Sequence, residues 1–514
     1  MPRQHGLLFG LALFCGFWLN SWAVPLFDLD EGAFSEATRE MFARGDFLMT
    51  FLDGEPRYDK PILVYWLQAA SVSLLGWSEF ALRLPSMLAA SLWAWAVYRF
   101  AREVGGGSHE KGLFAAGSLA LSLIPGLIGH AATADALLNL WLALSLLDLW
   151  RWMAAPSRGL LLRVYLWIGL GLLTKGPVAV ALPVMVTLPF ALLHGRWRDG
   201  LRAAFYVPGW LVALAVFLPW AIALSLRDGG EFFRHFLLDH NVGRYSDTME
   251  SHGGQLWYYV AFLPLIVLPF SAWLVPALAS AKRWKTEPLT TWLLVWFGTV
   301  FVLFSTSATQ LPHYLLYGCT PLFVLFGLHH EAITRRWLAL LPAAIFLLLL
   351  LALPNLLPLF PPPAHRLYEK GLVDLIAASV SPGYYTAVGG ALVLLVVTAL
   401  RPALPAWQAT LRAGVAVAIA AWGGVMPLLA NGQQWPVKLA GLKAKELGTP
   451  TVAYRITMPS FSVYREAATP HRSPVPGELA FTRVDRLEDL QKEIARPLVI
   501  EYQAGGVVLV RVPQ

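Results

Sequence analysis

The chain has 514 residues, of which 57% are hydrophobic and only 14% are charged, and its mean hydropathy is +0.56. Soluble domains carry about 25% charged residues, so this composition excludes an ordinary soluble protein. The net charge of +7 does not indicate nucleic-acid binding, because the sequence shows no basic cluster interleaved with aromatic residues. Cys15 and Cys319 both lie within apolar runs, which argues against a disulfide framework.

Apolar runs separated by short polar breaks fill the first 430 residues, a pattern typical of a polytopic helical membrane protein. The run at 62–76 is only 15 residues long and is interpreted as an interfacial or re-entrant helix in the first outer loop. We predict an all-α membrane domain of about thirteen transmembrane helices, at 7–26, 80–98, 113–129, 136–150, 164–174, 177–193, 204–226, 256–280, 289–307, 314–328, 337–357, 384–400 and 413–430.

Lysine and arginine are concentrated in alternate loops. With the N-terminus taken as cytoplasmic, every loop of one set is basic, whereas the short loops of the other set are poor in both residues. The outer set carries titratable side chains instead, which predicts a functional site at the outer membrane surface. These side chains come from six loops, in the segments 28–36, 58–61, 133–135, 239–252 and 310–314 and at Lys175.

The composition turns polar after residue 430. The stretches "TVAYRI", "PLVIEY" and "GVVLVRV" predict strands, and "RLEDLQKEIA" predicts a helix. Because thirteen spans is an odd number, this C-terminal end is placed outside. We therefore divide the chain into a membrane domain, 1–430, and a small outer α/β domain, 431–514.

An acidic cluster follows the first apolar run. Asp28, Asp30 and Glu31 together can bind a divalent cation, accept a proton or cap the helix that follows. That helix, "DEGAFSEATREMF", is predicted to be amphipathic, with one face near Ala33, Ala37 and Met41.

Two lysines are candidates for binding an anion. Lys175 follows an apolar run of 11 residues, about 16 Å of helix, and precedes the helix-breaking pair Gly176-Pro177, so we expect it to face a recessed polar cavity. One continuous helix there is the alternative, which would place the following basic loop outside, against the charge rule. Lys60 either extends to the membrane surface or, with Lys175 and Arg244, neutralises the head group of an anionic lipid.

The remaining candidates allow both a structural and a functional reading. Asp135 either caps its helix or belongs to the site. Two of His240, His252 and His313 with Asp59 could hold a metal, although their spacing matches no metal motif. The long outer loop at 227–255 is either a solvated connector or a lid.

Several stretches resemble one known family in their order and spacing. They are "DLDEGAFSEATREMFARGDF", "LDGEPRYDKPILVYW", "FALRLPSMLAA", "TADALL", "LLTKGPVAV", "FFRHFLLDHNVGRY", "HGGQLWYY" and "QLPHYLL". Over residues 7 to about 330 the chain resembles bacterial lipid A aminoarabinose transferases and, more broadly, the protein mannosyltransferase-like enzymes with the GT-C membrane fold.

This resemblance implies a glycosyltransferase of the bacterial inner membrane that works on the periplasmic side. The donor would be a sugar on undecaprenyl or another polyprenyl phosphate, the acceptor lipid A or another envelope glycolipid, and the anomeric centre would be inverted. Membrane lipids surround such an enzyme, and it needs neither nucleic acid nor a nucleotide cofactor.

The resemblance also assigns roles to individual residues. The catalytic acids would be Asp30 and Asp135, with Glu31 beside them, and the lipid phosphate would be held by Lys60, Lys175 and Arg244. A divalent metal, zinc or a similar ion in a structural role, would be held by Asp59 with His252 or His240. Relatives often carry an arginine three residues after the first aspartate, where this chain has Ala33, so Arg39 or Arg57 would have to replace that phosphate contact.

Two other classes of function compete with this one. A transporter or flippase of lipid-linked sugars tends to place charges at the membrane midplane within paired repeats, whereas here they gather at one face. A non-catalytic assembly protein would not need acids and lysines converging from six loops.

Overall fold

The computed structural model describes residues 3–237, 255 and 257–514. Most of this chain is helical. The helices are α1 (Arg3–Leu13), α2 (Asp30–Arg44), α3 (Leu63–Leu75), α4 (Glu79–Val104), α5 (His109–Leu121), α6 (Leu123–His130), α7 (Asp135–Ala154), α8 (Arg158–Lys175), α9 (Val178–Leu193), α10 (Trp197–Ala204), α11 (Val207–Asp228), α12 (Glu231–Leu237), α13 (Tyr258–Ile266), α14 (Leu274–Ala279), α15 (Pro288–Ser305), α16 (Thr320–Leu328), α17 (Arg336–Leu356), α18 (Leu367–Ala378), α19 (Pro382–Ala399), α20 (Ala406–Ala418), α21 (Met426–Leu447), α22 (Ser460–Arg465) and α23 (Leu487–Ile494).

The protein is a multi-pass membrane protein. Within the described residues, six helical segments are long and apolar enough to cross a membrane, and two bent helix pairs raise the number to eight if each is one span. The bent pairs are α5 with α6, at 65°, and Tyr258–Ile266 with Phe270–Arg283, at 118°. The sequence-based count of thirteen spans is therefore not confirmed.

The helices α7 and α8 show why apolar runs misjudge helix length. The apolar run at 164–174 predicts about 16 Å of helix, but α8 has 18 residues, about 27 Å, because it continues through charged residues. Buried Asp148 of α7 accepts hydrogen bonds from Arg151 and Arg163, so neighbouring side chains neutralise these charges within the helix pair. The break at Gly176, where φ is +79°, is present as predicted.

The first outer loop forms two helices, α2 and α3, which pack against later parts of the chain. The face of α2 predicted to be apolar is buried, and α3 occupies the 62–76 run as a helix of 13 residues. A short hairpin between them pairs β1 (Phe51–Leu52) with β2 (Glu55–Pro56). Buried Gln68 of α3 accepts a hydrogen bond from Thr38 (2.7 Å) and donates to the carbonyls of Leu82 and Ala132, which fixes the loop against α4 and α7.

A four-stranded sheet lies in the last 64 residues of the chain, in the order β3-β4-β6-β5. Its strands are β3 (Thr451–Ala453), β4 (Leu479–Arg483), β5 (Val499–Ala504) and β6 (Val507–Arg511). The strand β3 runs parallel to β4, and the other two pairings are antiparallel. The three predicted strands and the predicted helix α23 are present, whereas β4 and α22 were not predicted.

This C-terminal segment is joined to the first outer loop by polar contacts. Asp28 accepts hydrogen bonds from the Ser460 amide (2.9 Å) and hydroxyl (2.5 Å), and Tyr464 accepts one from the Leu26 amide (2.7 Å). Lys438 forms an ion pair of 2.5 Å with Glu79 at the start of α4. The sheet therefore lies on the same side of the helices as the acidic cluster.

The contact at Asp28 makes stability depend on pH. Burial raises the pKa of Asp28 to about 7, although the hydrogen bonds from Ser460 act to lower it. Because the folded protein then binds this proton more tightly than the unfolded chain does, stability falls as the pH rises from 3.8 to about 7. We expect Asp28→Asn, which mimics the protonated acid, to reduce the difference between thermal unfolding midpoints measured at about pH 5 and about pH 7.5.

The matched control is Glu55→Gln, since Glu55 is exposed on the hairpin. This change should keep the wild-type pH dependence. An Asp28→Asn protein with the full wild-type pH dependence would show that the buried acid is not its source.

Candidate active site

Titratable residues from three parts of the chain line one cavity of about 340 Å³. Asp28, Asp30 and Glu31 come from the start of α2, Asp135 from the start of α7, and His313 from the segment after α15. The lining also includes the apolar residues Leu127, Ile128, Trp422, Met426 and Leu429. The cavity thus combines acidic groups with apolar surface suited to a hydrocarbon chain.

Asp135 is buried in the cavity lining and is held by two partners. Lys175, at the end of α8, places its Nζ 2.6 Å from Asp135 Oδ1 and 2.9 Å from the Tyr317 hydroxyl. The Tyr317 hydroxyl donates to the same Asp135 oxygen at 2.7 Å. An ammonium has three donors, so this pairing orients Lys175 and leaves one N–H for a further acceptor.

Asp30 differs from its neighbours because it is exposed. It is the first residue of α2, where the helix dipole favours a negative charge, and it accepts no hydrogen bond from the described residues. Both carboxylate oxygens are therefore open to a molecule in the cavity.

Glu31 is buried, and both of its carboxylate oxygens accept hydrogen bonds. Arg83 donates from Nε to Glu31 Oε1 (2.8 Å) and from Nη2 to Oε2 (2.7 Å). The same carboxylate accepts from the amides of Phe27 and Ala132, each at 2.8 Å. Glu31 thereby joins the first loop, α4 and the start of α7 around the cavity.

A second charged group, Arg57, Asp59 and Lys60, lies beside α2. Asp59 contacts Lys60 Nζ at 2.5 Å and Arg57 Nη2 at 2.9 Å. Burial alone would lower the pKa of Arg57, but the charges of Tyr65, Asp59 and Asp30 hold it above the usual range. The Arg57 guanidinium also lies 5.5 Å from the ring centroid of Phe34, one turn after Asp30. This group is therefore close to the cavity, although Lys60 is not in its wall.

The short helix α12 contacts both of the segments that carry Lys60 and Lys175. His235 stacks on Tyr58, two residues before Lys60, with ring centroids 5.1 Å apart. The next residue, Phe236, fills the space at Gly176, where a Cβ would lie 2.5 Å from its ring. Since α12 has only seven residues, about 10 Å, the segments that carry Lys60 and Lys175 are neighbours.

Three predicted site residues, Arg244, His240 and His252, lie outside the described residues. Of the predicted metal ligands only Asp59 is described, and both of its oxygens contact cations. The predicted outer metal site therefore stays a prediction.

Sequence reasoning missed Tyr317 and gave no role to Arg83. Tyr317 stands in an apolar run, where a tyrosine gives no sign of a polar role. Arg83 did give a signal, because an arginine near the end of an apolar helix needs a buried partner.

Comparisons with known proteins identify the family. The family model described as dolichyl-phosphate-mannose-protein mannosyltransferase matches residues 59–222. The undecaprenyl phosphate-alpha-4-amino-4-deoxy-L-arabinose arabinosyl transferase of Pseudomonas paraeruginosa is 30% identical over 406 residues, which cover 76% of this chain and 69% of that protein. This chain belongs to that arabinosyl transferase family. The enzyme with the same description from Aeromonas hydrophila is 31% identical over 331 residues, covering 60% of this chain and 59% of that enzyme.

The fold of a solved arabinosyl transferase agrees with this assignment. The crystal structure of ArnT from Cupriavidus metallidurans bound to undecaprenyl phosphate covers 100% of both chains, with a TM-score of 0.83 and 19% identity. The GT-C fold and the membrane glycosyltransferase activity predicted from the sequence are thus confirmed.

Proposed function

We propose that this arabinosyl transferase family member moves a sugar from undecaprenyl phosphate, or a closely related polyprenyl phosphate, to lipid A or another envelope glycolipid, with inversion at the anomeric carbon. The observation that carries this proposal is one cavity lined by open Asp30, by Asp135, whose partner is Lys175, and by apolar residues. The names of the relatives support the aminoarabinose sugar and the undecaprenyl phosphate carrier.

The reaction breaks the bond between the anomeric carbon and the phosphate oxygen, and it forms a bond from that carbon to an acceptor oxygen. The leaving lipid phosphate takes the electron pair, so it needs cations close to its oxygens. Lys175 supplies one such charge and Lys60 another, and Arg244 would be a third. The polyprenyl chain would lie along Trp422, Met426 and the neighbouring apolar residues.

Asp30 is proposed to act on the acceptor. If the acceptor is a hydroxyl, the carboxylate removes its proton as the new bond forms. If the acceptor is a phosphate, it is already ionised, and Asp30 orients it. Asp135 positions Lys175, and Glu31, whose oxygens are all occupied, positions the first loop rather than reacting.

The geometry favours Arg57 over Arg39 as the replacement for the arginine absent at Ala33. Arg39 forms a bidentate pair with Glu36 and donates to the Glu466 carbonyl, so it faces the C-terminal segment. Arg57 instead lies along α2 within the electrostatic reach of Asp30.

We further propose that the cavity faces the periplasm and that the enzyme lies in the inner membrane. Support comes from the basic residues of the opposite loops. Residues 431–514 would then form a periplasmic α/β domain, which their contacts with Asp28, Leu26 and Glu79 support.

Reconstitution with undecaprenyl phosphate-linked aminoarabinose, labelled in the sugar, and lipid A tests the proposed function. We expect the label to move to lipid A, with release of undecaprenyl phosphate in equal amount. Lys175→Met should lower the rate by about 10²-fold, because the leaving phosphate loses a charge partner. Movement of the labelled donor across the bilayer without sugar transfer would instead support the flippase alternative.

A further inference from the structure

A histidine and two glutamates lie together at the end of the molecule opposite the cavity. Glu110 is in the first turn of α5, and His330 and Glu331 follow α16. Both segments belong to the basic loops assigned to the cytoplasmic side, whereas the other end of the bent α5–α6 pair contributes Leu127 and Ile128 to the cavity lining. This cluster is therefore separate from the proposed active site.

His330 is the buried member of the cluster. The residue is only 5% exposed, and its Nε2 has no hydrogen-bond partner among the described residues. Leaving a buried polar atom unpaired costs about 1–3 kcal/mol, so its orientation needs an explanation. The edge-on ring of Trp407, 5.5 Å from the imidazole centroid, packs against it.

The unpaired nitrogen points between the two carboxylates. His330 Nε2 lies 3.8 Å from Glu110 Oε2 and 3.9 Å from Glu331 Oε1, and all three ligand atoms lie within 4.8 Å of one another. These distances are too long for hydrogen bonds. Donors around a tetrahedral zinc ion are about 3.4 Å apart, so the three atoms need to approach one another by a few tenths of an ångström to about 1.4 Å. The glutamate side chains, 47% and 80% exposed, have the freedom to do so.

We propose that Glu110, His330 and Glu331 bind a divalent transition-metal ion of the zinc type. One imidazole and two carboxylates suit such an ion, and their two negative charges balance it. Lys111, next to Glu110, adds a positive charge that weakens binding without removing a ligand. The metal would connect the start of α5 to the segment between α16 and α17, so its role is structural.

Zinc content and thermal stability of the full-length protein test this site. The protein is prepared without a polyhistidine tag, stripped with a chelator, exposed to Zn²⁺ alone and dialysed. An Asp59→Asn background removes any contribution from the predicted outer site. We expect His330→Ala to retain about one zinc ion fewer than its parent and to lose the zinc-induced rise in unfolding midpoint, which should be several degrees.

The neighbouring histidine provides a matched control. His329 Nε2 lies 3.3 Å from Arg283 rather than facing the carboxylates, so His329→Ala should keep the bound zinc. Glu331→Gln, at an exposed position that cannot disturb the core, should weaken zinc binding at least about 10-fold. Equal zinc content and equal stabilisation in the parent, His330→Ala and Glu331→Gln would overturn the proposal and leave an ordinary histidine–carboxylate cluster.

Discussion

Asp30→Asn is expected to lower sugar transfer by about 10³-fold while the protein keeps its fold. The substitution keeps the size of the side chain but removes its charge and its ability to accept a proton. Asp30 is exposed in the cavity and accepts no hydrogen bond from the described residues, so its replacement breaks no hydrogen bond among them. The rate should be measured with labelled donor, and the fold by the unfolding midpoint of the purified variant.

Glu55→Gln is the matched control for this experiment. Glu55 lies in the same outer loop and is also exposed, but it is not in the cavity wall. Removing the Glu55 charge should leave the rate of sugar transfer unchanged. The comparison therefore separates a chemical role of Asp30 from a general effect of loop charge. Wild-type turnover by Asp30→Asn would reject Asp30 as the catalytic carboxylate.

The positions of Asp30 and Asp135 show how much of the site the loop charges predict. Both were assigned to the outer face because the basic residues mark the other loops, and both lie in the wall of one cavity. The pairing of Asp135 with Lys175 and Tyr317 was not predictable, because these residues are 40 and 182 positions away in sequence. The charges of the loops predict the side of the membrane on which a residue lies, but they do not predict which side chains it contacts.

Predicted and observed helix lengths differ for a related reason. Predicted spans were cut where charges appear, yet buried Asp148 neutralises Arg151 and Arg163 and lets α7 and α8 continue through them. Other apolar runs form helices that are short or bent, such as α9 and the α5–α6 pair. An apolar run thus predicts a helix more reliably than it predicts a full crossing.

The contact between the two ends of the chain also lay beyond sequence reasoning. Asp28 and Ser460 are 432 positions apart, and neither belongs to a recognisable motif for pairing. The strand pattern predicted the outer sheet as a unit, but only the folded chain shows that it holds the first outer loop beside the cavity.

Arg83→Met is expected to destabilise the protein by about 3–5 kcal/mol, the cost of leaving a buried charge without its partner. Glu31 would remain buried with a negative charge, and the carbonyls of Ser21, Val24 and Pro25 would lose the donors that Arg83 supplies. The first outer loop and the cavity wall should therefore both become less stable. We expect a much lower unfolding midpoint in detergent and a parallel loss of transfer.

The double variant Glu31→Gln with Arg83→Met distinguishes a buried charge from a simple loss of packing. Neutralising Glu31 removes the uncompensated charge, so the double variant should be more stable than Arg83→Met alone. Lys492→Met is the surface control, because Lys492 and Glu488 are 78% and 89% exposed and such pairs contribute at most about 1 kcal/mol. If Arg83→Met lowered the unfolding midpoint no more than Lys492→Met does, the Glu31–Arg83 ion pair would not be what stabilises the cavity wall.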